Sequence, residues 1–354
     1  MAWGKFVIMA DAIVTEKLTK YYDDHCVVDS LNLRIAEGTV YGLLGRNGAG
    51  KTTTIKMLLG MAHPSYGRAE LFGEDSSQLR PRTRARIAYL AEGHPLYRWM
   101  TIRQAVEFTR PFYDRWNQSL LEQILDHFEL SPKRRIRRLS RGQQAQVALA
   151  LAVSTDPELL ILDDPTLGLD TVVRRDFLES LIQIIQRRGR TILFSSHILG
   201  DVERVADRIG IMIDGVLRVD CPTDHFKESL KKVILEFDGE PPQIVPCPES
   251  GEPSHKSPVR QRLSSPLPLG EGQGVRAEQF VCPRLVNCRR VGRRLELVLV
   301  DFNGEHGLLF DSFQPRPRVV EVLDFNLEDA FIEYTRGPHR SLPVFSTEEE
   351  VQHV

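Results

Sequence analysis

Gly45-Arg46-Asn47-Gly48-Ala49-Gly50-Lys51-Thr52 fits the pattern G-x-x-x-x-G-K-[ST]. It lies between an apolar run, Val40 to Leu44, and a helical pattern, Thr52 to Leu59, the setting in which such a loop binds phosphate. Its glycines let consecutive backbone N–H groups face one anion, and the helix N-terminus adds the positive end of its dipole. Gly45, Asn47, Gly48, Ala49 and Gly50 are therefore expected to cradle a nucleoside triphosphate, with Lys51 reaching the β and γ phosphates. The Thr52 hydroxyl is placed for Mg²⁺ and Thr53 for the α-phosphate. A turn that merely linked strand to helix would have no need of the Lys-Thr pair.

Working outward, Leu159 to Leu162 is an apolar strand that delivers Asp163 at its C-terminal end, where phosphates and Mg²⁺ would lie. Ile87 to Leu90, Thr191 to Ser195 and Ile209 to Ile213 have the same continuous apolar character, expected of strands covered on both faces. Between them, Thr101 to Phe128 carries helix-spaced apolar residues and is expected to be a helical insertion. The fold class is α/β, a phosphate-loop domain built on a mostly parallel sheet.

The chain has 354 residues, enough for a large domain at 10–230 and a smaller one at 231–336. The second is predicted to be α+β, with strand-like alternation in Arg294 to Phe302 and from Arg318, ending in an amphipathic helix. It is interrupted at about 241–279. Between Glu240 and Phe280 stand eight prolines and four glycines with almost no apolar periodicity, so this stretch is expected to be disordered, as is a tail at 337–354. Lys plus Arg (46) nearly cancels Asp plus Glu (48), so no global field draws the chain to nucleic acid or acidic lipid. No apolar run approaches the roughly 20 residues needed to span a bilayer as a helix. Met1 to Ala10 lacks an extended apolar core or a convincing cleavage site, which favours a cytoplasmic chain with Met9 as a second start. Five scattered cysteines form no CxxC pair, and reduced thiols are expected.

Leu139-Ser140-Arg141-Gly142-Gln143 resembles the signature sequence of ABC ATPases, and Asp163-Asp-Pro-Thr-Leu-Gly-Leu-Asp170 resembles their acid strand and following loop. His197 follows the strand Thr191 to Ser195 where that family has its switch histidine, and Tyr22 stands 29 residues before Lys51. The resemblance covers residues 12 to about 220. It implies that Ser140, Gly142 and Gln143 bind the γ-phosphate of ATP held by a second subunit, making the active form a head-to-tail dimer. It further implies that Tyr22 stacks on the adenine, that His197 contacts the γ-phosphate and orients the attacking water, and that Asp170 couples the two sites.

Three positions depart from the pattern. Arg141 replaces the usual first glycine of the signature, Glu92 stands where glutamine is common, and Asp164 replaces the catalytic glutamate. Glu92 remains a hard oxygen ligand able to meet Mg²⁺ or water. Asp164 keeps the charge of a general base on a stem one C–C bond, about 1.5 Å, shorter. Tyr89 to Tyr97 and Asn326 to Arg336 resemble the branch serving drug, polysaccharide and lipid exporters. That implies a separate membrane permease whose cytoplasmic helix docks beside Glu92 and the Thr101 to Phe128 helices, holding this chain at the inner face of the membrane. Lys133-Arg-Arg-Ile-Arg-Arg138 is the best argument for a nucleic-acid factor. It lacks interleaved aromatics and precedes the signature directly, so a solvated face is the better reading and no nucleic-acid partner is expected. The short acid at Asp164 leaves a third reading, a regulatory ATP-binding module with little turnover.

Overall fold

The computed structural model describes residues 10–186, 189–246, 279–282, 285–300, 316–336 and 345–346. They divide into two units that part between Pro222 and Thr223.

In the first unit the chain runs β1 (Asp11–Tyr22), β2 (His25–Ala36), β3 (Val40–Leu44), α1 (Lys51–Leu58), β4 (Tyr66–Leu71), β5 (Glu74–Asp75), α2 (Pro81–Arg84) and β6 (Ile87–Leu90). It continues α3 (Ile102–Thr109), α4 (Gln118–His127), α5 (Arg141–Ser154), β7 (Leu159–Asp163), α6 (Thr171–Gln186), β8 (Thr191–Ser196), α7 (Leu199–Glu203), β9 (Arg208–Ile213) and β10 (Val216–Pro222). The central sheet contains the order β10-β9-β3-β8-β7-β6, parallel from β9 to β6 and antiparallel only between β9 and β10. Every residue of β3, β7 and β8 is buried, as expected of central strands covered on both faces. The five apolar runs read from the sequence are the strands β3, β6, β7, β8 and β9.

A second sheet, entirely antiparallel, has the order β2-β1-β4-β5. Its inward side chains, Ile13, Leu18, Leu31, Leu33, Ile35 and Leu71, share one core with Tyr41, Leu43, Ile55, Leu58 and Ile161. That shared core lays the antiparallel sheet against the β3–α1 turn that carries the phosphate loop.

The helical insertion is fixed by local caps. Thr101 and Gln104 form a reciprocal capping box at α3, and Asn117 Oδ1 accepts the Leu120 N–H at 3.0 Å at α4. The basic run returns beside α3: Ile136 is buried, and the N–H groups of Ile102 and Arg103 donate to Arg134 and Pro132 carbonyls at 3.0 and 2.9 Å.

The second unit opens with α8 (Thr223–Ser229) and β11 (Leu230–Glu236), followed by β12 (Gln243–Pro246), β13 (Gln279–Cys282), β14 (Leu285–Val291), β15 (Arg294–Val300), β16 (Val319–Asp324) and α9 (Leu327–Arg336). Its sheet has the order β14-β15-β11-β16, all antiparallel, over a core of Val233, Leu235, Phe237, Leu285, Leu295, Leu297 and Leu299. Tyr334 of α9 meets Phe226 of α8 edge-on, ring centroids 5.9 Å apart. Within the stretch expected to be aperiodic, Gln243–Pro246 pairs in parallel with Gln279–Cys282. The rest of that stretch, 247–278, lies outside the described residues, as does the predicted tail at 337–354 apart from the two-residue strand Phe345–Ser346.

Candidate functional site

The phosphate loop turns the chain from β3 into α1. Gly50 caps α1 at φ 101°, and a Cβ there would lie 2.5 Å from the Val27 carbonyl oxygen, so only glycine fits. Gly45 and Ala49 are buried, Asn47 and Gly48 exposed, and the Ala49 N–H donates to Arg46 O at 3.1 Å. Lys51 is only 7% exposed and its ammonium donates to Gly45 O at 2.6 Å and Arg46 O at 3.2 Å. Burial pulls its pKa below the usual lysine value, against the upward pull of Asp164, Asp163 and Glu92. Those three carboxylates therefore already share one electrostatic site with the loop lysine.

The ends of β7 and β8 bring the acids in. Asp163 Oδ1 accepts from Thr52 Oγ1 at 3.0 Å and from Ser195 Oγ at 2.8 Å. The Ser195 oxygen in turn accepts the Asp164 N–H at 2.9 Å. Asp164 takes φ 44°, in the left-handed region, and its Oδ2 lies 2.7 Å from His197 Nδ1, which donates to it. Tyr89 stands beside this group. Burial first, then the Asp163 charge, push its phenol up to about 12, so it faces the acid as a neutral O–H.

Tyr22 ends β1 half-exposed, with Lys20 Nζ 4.9 Å from its ring centroid. Thr53 is half-buried in the first turn of α1. Glu92 is exposed in the loop after β6. Ser140 caps α5 through a box with Gln143: Gln143 N donates to Ser140 Oγ at 3.1 Å and Ser140 N to Gln143 Oε1 at 3.2 Å. Gly142 is buried, and a Cβ on it would lie 2.3 Å from Val173 Cγ1, so here the glycine admits α6. Asp170 Oδ1 accepts the Val173 N–H at 3.0 Å, capping α6. Lys51, Thr52, Asp163, Asp164, Glu92 and His197 thus form one group. Among the described residues no hydrogen bond or ion pair joins Ser140, Gly142, Gln143 or Asp170 to it.

A family model described as ABC transporter matches residues 28–167. The bacitracin transport ATP-binding protein BcrA of Bacillus licheniformis is 36% identical over 231 residues, covering 65% of this chain and 75% of that protein. The chain belongs to the ABC transporter ATP-binding family. The Nod factor export ATP-binding protein I of Neorhizobium galegae is 35% identical over 240 residues, 66% of this chain and 69% of that one. A solved ATP-binding subunit of an ABC transporter, 26% identical, superposes with a TM-score of 0.55 over 61% of this chain and 92% of the other. A dimeric cassette solved with ADP and phosphate, 21% identical at TM-score 0.53 over 59% and 98%, shares the fold. This chain is accordingly an ATP-binding, ATP-hydrolysing subunit of a transporter.

Whether this ABC ATPase's residues suit Mg²⁺ is decided by the donor set. Asp163 Oδ2 is buried without a hydrogen-bond partner, while its Oδ1 accepts from the Thr52 hydroxyl. Among the described residues no group of three or more His, Cys, Asp or Glu converges to chelate a metal. Few protein oxygens, hard and partly unsatisfied, suit an ion that keeps waters and shares phosphate oxygens. No described helix is long and apolar enough to cross a membrane.

Sequence reasoning missed Ser195, Tyr89, His94 and Asp201. Ser195 was hidden inside a run read only as a buried strand. His94 Nε2 donates to Pro165 O at 3.0 Å, and Asp201 Oδ2 accepts from Thr166 Oγ1 at 2.7 Å. Burial lowers the His94 pKa and raises that of Asp201. His94 lay within the stretch Tyr89 to Tyr97 without a role of its own and Asp201 in no motif, and each acts on the loop that follows Asp164.

Proposed function

We propose that the chain pairs head to tail with a second copy around two ATP molecules, and that closure drives a separate membrane permease which exports its cargo. Residues 10–230 are read as the nucleotide-binding domain and 231–336 as its appendage. The observation that carries the catalytic reading is the 2.7 Å bond from His197 Nδ1 to Asp164 Oδ2, within reach of the field of buried Lys51.

Asp164 would polarise the attacking water and accept its proton, and His197 would hold that carboxylate while its Nε2 turns to the γ-phosphate. Lys51 would neutralise the developing charge on the transferred phosphoryl group. Asp163, Thr52 and Glu92 would hold Mg²⁺, which supplies charge neutralisation at the β and γ phosphates. Tyr22 would stack on the adenine, and the capped start of α5, with Ser140, Gly142 and Gln143, would meet the other copy's γ-phosphate. The short acid at Asp164 favours slow turnover.

Relatives named for bacitracin transport and Nod factor export support export. Docking by a permease is supported by an exposed aromatic cluster near Glu92: Tyr97 packs edge-on against Phe108 with centroids 5.5 Å apart, and Phe108 against Phe112 at 5.7 Å. Trp99, 64% exposed, extends the patch, which suits an apolar cytoplasmic segment of a membrane protein. The association would keep the chain on the inner face of the cell membrane. Lys51→Ala in the full chain is expected to abolish ATP binding or hydrolysis; undiminished ATPase activity would remove Lys51 from the site. Co-purification with ribosomes or DNA instead of a membrane protein would overturn the transporter assignment of the partner.

A further inference from the structure

Asp164 sits at φ 44°, a conformation that costs an L-residue free energy unless its surroundings enforce it. Three contacts surround that turn. Ser195 Oγ accepts the Asp164 N–H, His94 Nε2 donates to the next residue's carbonyl, Pro165 O, at 3.0 Å, and Thr166 Oγ1 donates to Asp201 Oδ2 at 2.7 Å. The turn closes on itself, with Leu167 N donating to Asp164 O at 3.1 Å and Leu169 N to Thr166 O at 3.1 Å.

His94 differs from the other two anchors in where it comes from. It is 6% exposed, itself at φ 51°, and lies two residues beyond Glu92 in a tight turn closed by His94 N to Ala91 O at 3.2 Å. The Pro165 carbonyl belongs to the Pro165–Thr166 peptide, one link beyond Asp164, and a donor to it restrains the orientation of that link. The imidazole bond ties the loop carrying Glu92 to the Pro165–Thr166 peptide of the turn that begins at Asp164.

We propose that His94 is a positioning residue for Asp164: its Nε2–H holds the Pro165 carbonyl, keeps the Asp164 turn in its left-handed form, and passes the state of the Glu92 loop to the water-polarising acid. The inference rests on the reading of Asp164 given above. It requires a donor that reaches the Pro165 carbonyl rather than mere bulk at position 94, and it acts on turnover, leaving nucleotide affinity to the phosphate loop.

The test compares ATPase kinetics of the full chain with His94→Phe and His94→Gln, each alone and combined with Asp164→Asn. His94→Phe, which keeps bulk and removes the donor, is expected to lower kcat about tenfold with KM for ATP unchanged within about twofold. His94→Gln, whose side-chain N–H can reach the same carbonyl, is expected to recover most of the loss. In the Asp164→Asn background, His94→Phe should cost nothing further. Should His94→Phe fail to fold, His94→Asn, which tolerates the left-handed backbone but is too short to reach Pro165, takes its place. Wild-type kcat in the donor-less variant, no recovery with glutamine, or an equal loss in the Asp164→Asn background would each overturn the proposal. Asp164→Asn alone turning over at the wild-type rate would instead remove the reading on which it rests.

Discussion

Ser195 Oγ donates to Asp163 Oδ1 at 2.8 Å, and this one hydroxyl joins the two adjacent acids because it also accepts the Asp164 N–H at 2.9 Å. The parallel register of β7 and β8, with Asp163 opposite Ser195, is what places it there. Ser195→Ala removes both bonds and leaves a buried N–H unpaired, a cost of about 1–3 kcal/mol. Thermal unfolding is expected to fall by a few degrees, and kcat to drop more than ATP affinity. A variant with the wild-type melting temperature and kcat would show that the bridge is dispensable.

Gly142 separates a packing role from a ligand role. A Cβ at this position would lie 2.3 Å from Val173 Cγ1, so Gly142→Ala must push α5 away from α6 or force Val173 off its rotamer, costing about 1–3 kcal/mol. Val173→Ala in the same chain vacates that space. Melting of the two single variants and the double is the measurement. Recovery of stability and ATPase in the double variant is expected if packing alone demands the glycine; stability regained without ATPase would mean that the backbone must also approach a ligand closely.

Asp201 gives a pH signature. Burial raises its pKa above 3.8, against the pull of the Thr166 hydroxyl and Arg174. With the folded pKa above the unfolded one, its contribution to stability is fully present below the unfolded value and is lost as pH rises through the raised folded value. At neutral pH the ionised carboxylate is therefore a cost. Asp201→Asn keeps an acceptor for Thr166 and removes the charge, so it is expected to raise the melting temperature at pH 7.5 by roughly one to three degrees. The gain should narrow as pH falls toward 3.8. A gain independent of pH, or a loss at pH 7.5, would show that Asp201 is stabilising as the anion.

The parallel strands were legible because burial on both faces leaves runs such as Leu159 to Leu162 without a polar residue, and β7 follows that run closely. The phosphate loop and Asp163 were legible because glycines, lysine and an acid after an apolar strand have few other uses together. The antiparallel sheet was not read. In β1 and β2 bulges break the period of two, between Thr15 and Leu18 and again near Lys20, so the alternation that marks a half-buried strand is interrupted. The roles of His94 and Asp201 were illegible for a different reason: each serves a backbone or hydroxyl group far along the chain, 71 and 35 residues away, and no local pattern records such a partner, even where, as with His94, the residue lies in a stretch that resembles a family motif.

Asp164 offers the sharpest test of the chemistry. Its Oδ2 is taken by His197 Nδ1 at 2.7 Å, while Oδ1 is buried without a partner, so one oxygen remains to accept a proton from water. A general base of this kind contributes about 10²- to 10⁴-fold, and Asp164→Asn, which keeps the shape and loses the charge, is expected to cut turnover at least roughly tenfold. ATP should still bind, since Lys51 and Thr52 are untouched, and an ATP-bound dimer should accumulate in gel filtration. Asp164→Glu restores the longer stem. At φ 44° aspartate is tolerated better than glutamate, so the exchange adds backbone strain as well as reach. The rate is expected to equal or exceed that of the natural chain if the site is an ordinary one with a short acid. A Glu variant slower than Asp would mean that the left-handed turn already brings the shorter carboxylate to its working distance, and Asp164→Asn at the wild-type rate would exclude Asp164 as the base.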